Sequence, residues 1–284
     1  MSKTNQSQFH SAEVAVQERL GIAELVAKYS EGFIRSAMPE QHREFYSELP
    51  FVVLGVTDHK GYPWPIPLFG QAGFIQSPNE ITLHFTGLPN LINTLDIEFI
   101  TGQKIGILGI QLSTRRRNRV NGVIQIIGDE SFSIQVEQSF GNCPKYIQKR
   151  ELTWVSHSQS LPQNPDEKLT TAIDVNAIAL IENADTFFIA SRTKYFDNDK
   201  RSGIDASHRG GKPGFVKVED IKLKFLDFRG NGFFNTLGNI ESDSRVGLFF
   251  PDFSTGNAVF VSGQASILWD KEAREGFSGA ERVI

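Results

Sequence analysis

The feature that most constrains this fold is an internal repeat. Four short motifs occur twice, in the same order, and sixteen positions separate both Gly106 from Gly122 and Gly247 from Gly263. The pairs are Gly73-Phe74-Ile75 with Gly214-Phe215-Val216, Asn93-Thr94-Leu95 with Asn235-Thr236-Leu237, Ile105-Gly106-Ile107 with Val246-Gly247-Leu248, and Asn121-Gly122 with Ser262-Gly263. Ordered similarity at one fixed spacing indicates that the chain folds as two copies of one unit.

Each copy reads as a series of short β-strands separated by turn residues. The segments FVVLGVTD, PIPLFG, ITLHF and KIGILGIQL are apolar and rich in strand-forming residues, with glycine, proline and asparagine between them. Many short strands with regular turns are typical of a barrel or sandwich. Residues 1–50 show helical spacing instead, with Ser11 as an N-cap for one helix and Pro39 at the start of another.

These patterns predict a mainly β protein with peripheral helices, built as two fused β-barrels related by internal duplication. The predicted divisions are a helical segment (1–50), a first barrel (51–160) and a second barrel (161–284). The boundary near residue 160 lies in the polar, proline-containing stretch SHSQSLPQNPDEK. The first copy continues into a strand, SFSIQVEQSF, that has no counterpart in the second, so we expect the second barrel to stop short, as either a truncated or a naturally abbreviated copy.

The stretch from Ser207 to Ile240 has the chemistry of an anion site. Glycines allow backbone N–H groups to converge, and arginine offers a planar fork to phosphate oxygens. The matching stretches of the first copy, PIPLFGQAG and TGLPNLINTL, contain no Arg or Lys, which places the predicted phosphate site in the second barrel. The candidate ligands are Ser207, His208, Arg209, Gly210, Arg229, Gly230, Asn231, Asn235, Thr236 and Asn239.

Composition narrows the function further. A net charge of −4 with a pI near 5.9 argues against a nucleic-acid-binding protein, and no apolar run is long enough to span a membrane. The single cysteine excludes an intramolecular disulfide, and the six histidines show no metal-ligand spacing. No signal peptide is recognisable, so the sequence favours a cytoplasmic protein that binds neither metal nor membrane.

The motifs of the anion stretch also resemble a known family. SHRGGKPGFV, GN-x-x-FNTLGNI and SRVGLFF-x-DF, together with the upstream FHSAEVAVQERLG, LGIQLSTRRRNRVNG and QSFGNCPKYIQ, are similar to the pyridoxamine 5'-phosphate oxidase-like, FMN-binding split-barrel proteins, and to their double-barrel subgroup in particular. The resemblance covers nearly the whole chain. It implies two split barrels with one FMN in the cleft between them, where Arg117, Arg119 and Lys145 of the first barrel would close over the flavin.

The resulting expectation is an FMN-binding flavoprotein that acts as a flavin-dependent oxidoreductase on an unknown substrate. No catalytic residue is assigned, because the cofactor carries the electrons and the family differs in substrates. A non-catalytic flavin-binding or storage protein, and a split barrel that uses heme or a deazaflavin, are the alternatives. The expected partners are a small-molecule substrate or electron donor, a partner reductase, and a second copy of the chain in a homodimer.

Overall fold

The protein is described by a computed structural model that covers residues 7–153, 167–274 and 279–284. Its helices are α1 (Ser11–Arg19), α2 (Ala23–Ser30), α3 (Glu40–Ser47), α4 (Val175–Asn183) and α5 (Asn235–Ser242). Its strands are β1 (Phe51–Thr57), β2 (Pro63–Phe69), β3 (Ile75–Asn79), β4 (Thr82–Thr86), β5 (Lys104–Gln111), β6 (Arg116–Gly128), β7 (Ser131–Gly141), β8 (Thr186–Arg192), β9 (Ile204–Gly210), β10 (Val216–Glu219), β11 (Lys222–Asp227), β12 (Arg245–Pro251), β13 (Ala258–Gln264) and β14 (Arg282–Val283). The predicted fold class, mainly β with peripheral helices, is confirmed.

The first barrel is one antiparallel sheet of seven strands in the order β2-β1-β5-β6-β7-β4-β3. Its core consists of inward-facing aliphatic and aromatic side chains, among them Leu54, Ile107 and Phe85. The strand β7 completes the sheet because it pairs with β6 along its length and with β4 on its other side.

The second barrel repeats this order with a divided sheet. The strands β13-β12-β8-β9 form one sheet and β10-β11-β14 another, and β14 pairs with β11 as β7 pairs with β4. Registers match between the copies, since Gly106 faces Asn121 as Gly247 faces Ser262. The structure is therefore two fused split barrels related by internal duplication. The boundary predicted near residue 160 falls in 154–166, outside the described residues.

One corner is conserved between the copies in atomic detail. Gly73 and Gly214 both have positive φ, at 93° and 85°, which glycine adopts without steric cost. The phenylalanine after each packs over an earlier glycine: a Cβ at Gly70 would lie 2.3 Å from the Phe74 ring, and one at Gly211 2.5 Å from the Phe215 ring. This corner is why the Gly-Phe motif recurs.

The two barrels share a core. In β1 the side chain of Leu54, together with those of the residues two positions before and after it, enters the first barrel. Phe51 and Val53 lie on the opposite face of the strand and pack against Phe188 and Phe249 of the second barrel. Two glycines permit close backbone approach across this interface. A Cβ at Gly106 would lie 2.3 Å from the Ile204 carbonyl oxygen, and one at Gly247 2.1 Å from that of Pro63.

The N-terminal helices pack beside the second barrel's α5. The first helical segment of residues 1–50 consists of two helices, α1 and α2, because Gly21 has a φ of 68° and ends the first. The predicted N-cap Ser11 is wrong by one residue: His10 is the N-cap and Glu13 closes a capping box with it. Phe9, Val26 and Ile34 pack with Phe140 and Phe233 in a small core that joins this segment to both barrels.

Candidate anion-binding cleft between the barrels

A cleft lies where β6 and the 142–146 turn after β7, both of the first barrel, meet β9, the 226–232 segment and α5 of the second. Its cavity volume is about 120 Å³. The lining residues from the first barrel are Leu108, Arg117, Arg119, Asn142, Cys143, Lys145 and Tyr146. Those from the second are Ser207, His208, Arg209, Gly210, Leu226, Asp227, Phe228, Gly230, Asn231, Gly232, Phe234, Asn235, Thr236 and Leu237. We call this site the cationic cleft.

Strand alternation selects two arginines from the basic run of β6. Arg117 and Arg119 line the cleft, as alternate residues of one strand face must. Arg116 points elsewhere, donating to the Gln41 carbonyl oxygen at 2.6 Å and covering the Phe45 ring. Arg115 is exposed in the preceding turn, with a φ of 57°.

The deepest cation, Arg119, is compensated by a carboxylate. It is 3% exposed and its Nη1 donates to Oδ1 of the buried Asp205 at 3.0 Å. Its Nη2 donates to the Ser207 hydroxyl, which also accepts from Thr236 Oγ1 at 3.2 Å. This network connects the first barrel to β9 and to the first turn of α5, and it fixes two hydroxyls at the cleft wall.

A second ion pair positions Arg209. Its Nη1 donates to Asp227 Oδ1 at 2.7 Å, and the other oxygen of Asp227 accepts from Arg282 Nε at 2.8 Å. Asp227 is 2% exposed, so both guanidinium groups are held rigidly. Arg209 is therefore partly neutralised and its orientation is set by β11 and β14.

Arg117 differs, because no carboxylate among the described residues pairs with it. Its Nε donates to the Cys143 carbonyl oxygen at 2.8 Å and its Nη1 to His208 Nδ1 at 3.0 Å. Burial, together with nearby Arg119 and Arg209, lowers the pKa of Arg117 to about 10. At neutral pH it still carries a full positive charge, and that charge is available to a ligand.

His208 complements this arrangement as a neutral imidazole. Burial and the adjacent cations lower its pKa well below the ordinary value. Since Arg117 donates to Nδ1, the proton of His208 lies on Nε2. His208 thus adds no charge that would compete with Arg117.

The N-terminus of α5 opens onto the cleft without a side-chain cap. Asn235, Thr236 and Leu237, its first residues, all line the cavity. The N-cap position is Phe234, which has the left-handed φ of 59° and no acceptor for the first-turn N–H groups. Helices usually place Ser, Thr, Asp or Asn there, so this first turn is free to bind an anion.

Several cleft residues also carry buried polar atoms that lack a partner among the described residues. They are Arg119 Nε, Asn142 Oδ1, His208 Nε2 and Arg209 Nε. Such atoms are uncommon in folded proteins. Their concentration here indicates that the cleft wall has more hydrogen-bonding groups than the protein itself pairs.

Most of the predicted site residues come together. Those that line the cleft are Arg117, Arg119, Lys145, Ser207, His208, Arg209, Gly210, Gly230, Asn231, Asn235 and Thr236. Two do not. Arg229 is exposed outside the lining, and its carbonyl oxygen accepts from Tyr146 Oη at 3.2 Å. Asn239 lies one turn deeper in α5, where its Nδ2 donates to Asp205 Oδ2 at 2.7 Å.

Other functional residues were missed by the sequence interpretation. Asp205 shares a strand face with Ser207 and Arg209 by simple alternation, a signal that could have found it. Asp227 directly precedes the FRGNG turn. Arg282 stands outside every motif, and only the pairing of β14 with β11 brings it to Asp227.

Other classes of site are absent from the described parts of the chain. No group of three or more His, Cys, Asp or Glu side chains could hold a metal ion there. Nor does any described helix have the length and apolar character needed to cross a membrane.

Comparisons with known proteins leave the family unassigned. No protein-family description matches the sequence, and no curated protein matches it either. Similar solved structures include a candidate pyridoxamine 5'-phosphate oxidase from Lactobacillus delbrueckii, at 18% identity and a TM-score of 0.30, covering 40% of this chain and 95% of that one. Two structures of HupZ from Group A Streptococcus match at 14% and 15% identity, each with a TM-score of 0.27 over 37% of this chain, and over 98% and 94% of their own.

Likeness at these scores is too weak to assign a function. The fold assignment depends instead on the strand order and the repeated glycine corners of this chain.

Proposed function

We propose that this protein binds one FMN per chain in the cationic cleft and acts as a flavin-dependent oxidoreductase. The observation that carries the proposal is the meeting of Arg117, which has no carboxylate partner among the described residues, with the uncapped N-terminus of α5 in one cavity. A cation and a free helix N-terminus together favour a dianionic group such as a phosphate monoester.

The remaining residues fit the same ligand. Ser207 and Thr236 present hydroxyls beside the helix N-terminus, and Arg209 is oriented by Asp227 toward the same space. The charge of Arg119 is neutralised by its ion pair with Asp205, so the contribution of Arg119 to binding is to hold the Ser207 hydroxyl in place. The phosphate would be held by α5, Ser207, Thr236 and Arg209, and the charge of Arg117, which no carboxylate among the described residues pairs, would complete its neutralisation.

When bound, FMN supplies the one- and two-electron chemistry, and the chain supplies binding and electrostatics. Arg117, with its full charge, stabilises negative charge on whatever part of the ligand it faces. The neutral His208 keeps the Arg117 guanidinium in its orientation through Nδ1. The stacked pair of Tyr146 and Phe228, with ring centroids 5.1 Å apart, joins the two barrels at the cleft.

Heme is the alternative for which the cleft contains a candidate axial ligand, since His208 lines it. Its free nitrogen, Nε2, is fully buried in protein, so ligation of an iron would require the ring to turn away from Arg117. This geometry favours the flavin. A deazaflavin or a storage role for the flavin would use the same phosphate-binding residues.

The test is to identify the ligand and then measure its affinity. Purified protein should show a flavin absorption spectrum, or acquire one on addition of FMN, and mass analysis of the released ligand should give FMN. The variant Arg117→Gln should weaken FMN binding by about 1.5–3 kcal/mol, the scale of a charged hydrogen bond. Arg116→Gln is the matched control on the opposite face of the same strand, and it should leave the affinity unchanged.

Two results would overturn the proposal. Equal affinity for riboflavin and FMN would mean that the cleft does not recognise the phosphate. Release of a porphyrin from the purified protein would mean that the ligand is heme and not FMN. Enzymatic turnover is tested separately, by anaerobic bleaching of the flavin band with nicotinamide nucleotides, with and without a flavin reductase. A flavin that only dithionite reduces would favour the storage role.

A further inference from the structure

Beneath the cationic cleft, helix α1 buries a carboxyl group against the helix that borders the cleft. Glu13 is 4% exposed. Its Oε1 accepts from Asn235 Nδ2, and its Oε2 accepts from the backbone N–H of His10 at 2.9 Å. Asn235 is the first residue of α5 and lines the cleft, so one side chain separates Glu13 from the proposed anion.

The contact between α1 and α5 is unusually close. A Cβ at Gly238 would lie 2.5–2.7 Å from the Cγ, Cα and N atoms of Glu13, so the two backbones touch. Gln17 donates to the Phe233 carbonyl oxygen at 3.1 Å, and His10 Nε2 lies 3.0 Å from Asn239 Oδ1. The first turn of α5 therefore cannot move away from Glu13 without disrupting several contacts.

Among the described residues no Lys or Arg forms an ion pair with Glu13, and His10 Nε2 lies 3.6 Å from its Oε2. Burial, and then the negative charge of Asp205, raise the pKa of Glu13 to about 8. Arg119 acts in the opposite direction, but it is paired with Asp205. The pKa of the neighbouring His10 is lowered by burial. The other charged groups that border the small polar cavity beside Glu13 are Lys200 and Arg201, and Arg201 is paired with Asp199.

We propose that Glu13 is an ionisable positioning residue for the cationic cleft: its carboxyl group holds Asn235 and the first turn of α5 in place, and when it is ionised its negative charge opposes an anion bound there. The inference depends on the proposed function only in requiring that an anion bind at α5. By linkage, anion binding must then favour the protonated form of Glu13, and the proton must favour the anion.

The coupling between Glu13 and the anion fixes the direction in which pH changes the affinity. Well below about pH 8 the free protein carries a neutral Glu13, so the affinity for the anion is at its plateau. As the pH rises above that value, Glu13 ionises in the free protein, and binding must either reprotonate it or accept the repulsion. Affinity therefore falls with rising pH, by up to about tenfold per pH unit for one coupled proton.

The experiment measures the affinities for FMN and for inorganic phosphate between about pH 7 and about pH 9. The proteins are the wild type, Glu13→Gln, and Glu18→Gln, which removes the same charge from an exposed site on the same helix. We expect the wild type and Glu18→Gln to lose at least about fivefold in affinity over this range. Glu13→Gln, which keeps the shape of the side chain but cannot ionise, should show a flat profile.

The outcomes separate this inference from the proposed function. If FMN binds and Glu13→Gln keeps the wild-type profile, or the wild-type profile is flat, the inference is overturned while the FMN site stands. If only phosphate binds, and its profile depends on Glu13, the inference stands and FMN does not. If neither ligand binds, both are overturned.

A direct measurement covers the case in which Glu13→Gln does not fold. Infrared titration of the wild type should show a protonated carboxyl band that persists to about pH 8. Adding phosphate should move the midpoint of that band to higher pH, and an unmoved midpoint would overturn the coupling.

Discussion

The two barrels occupy equivalent places in the fold but present opposite chemistry at equivalent positions. By the register of the repeated strands, Arg117 and Arg119 on β6 correspond to Ala258 and Phe260 on β13. On β9, Ser207, His208 and Arg209 correspond to Ile66, Pro67 and Leu68 of β2.

A duplicated barrel pair thus offers two pseudo-equivalent positions for a ligand, and at the positions compared the cations lie on β6 and β9 and not on β13 and β2. The difference shows that the fold supplies the cleft, whereas a few side chains on two strands decide what it can bind. It also gives a matched control within the same molecule for each cationic residue.

The largest expected effect concerns the buried pair in the cationic cleft. Arg119→Met leaves the Asp205 carboxylate buried without its cation, which should lower the free energy of unfolding by about 3–5 kcal/mol. Phe260→Met, the equivalent position, should cost less than about 1.5 kcal/mol because it exchanges one apolar group for another. Urea denaturation measures both. Similar costs at the two positions would mean that the Arg119–Asp205 pair is not what stabilises this wall.

The next effect concerns ligand binding. Arg209→Ala should weaken FMN binding by about 1.5–3 kcal/mol, since it removes a positioned charge. Leu68→Ala, its counterpart, should leave the FMN affinity unchanged. The sequence treats Arg209 and Arg229 alike, but Arg229 is exposed outside the cleft lining, so Arg229→Ala should change the affinity by less than about 0.5 kcal/mol. Equal losses for the two arginines, in a fluorescence titration, would contradict this assignment.

The smallest effect compares two repeated glycines. A Cβ at Gly122 would lie 2.1 Å from the Gln135 carbonyl oxygen because β7 covers β6 there. A Cβ at Gly263, the counterpart on β13, would meet nothing within 4 Å. Thermal unfolding should therefore show Gly122→Ala destabilised by about 1–3 kcal/mol and Gly263→Ala within about 0.5 kcal/mol of the wild type. A costly Gly263→Ala would indicate that another chain segment covers β13.

Much of the architecture was predictable because it depends on local and repeated patterns. Spacing between glycines revealed the duplication, since each glycine serves a corner or a close backbone approach that both copies need. Alternation along β6 allows only every second residue of the basic run to face the cleft, and Arg117 and Arg119 do so. The sequence predicted a phosphate site in the second barrel, because the matching first-copy stretches contain no Arg or Lys, whereas the structure brings Arg117 and Arg119 of the first barrel to the same cleft as Arg209.

What the sequence could not decide is which charges are free. Arg119 and Arg209 read as ligand-binding arginines, yet each is paired with an aspartate, and Arg117 is the one of these three left without such a pair among the described residues. Nor could it show that Glu13 reaches Asn235 from the far end of the chain. Residue type and local spacing can be read from the sequence. The ion pair between Arg282 and Asp227 and the contact between α1 and α5 form only when distant segments of the chain pack together. Burial then sets the charge that each group keeps.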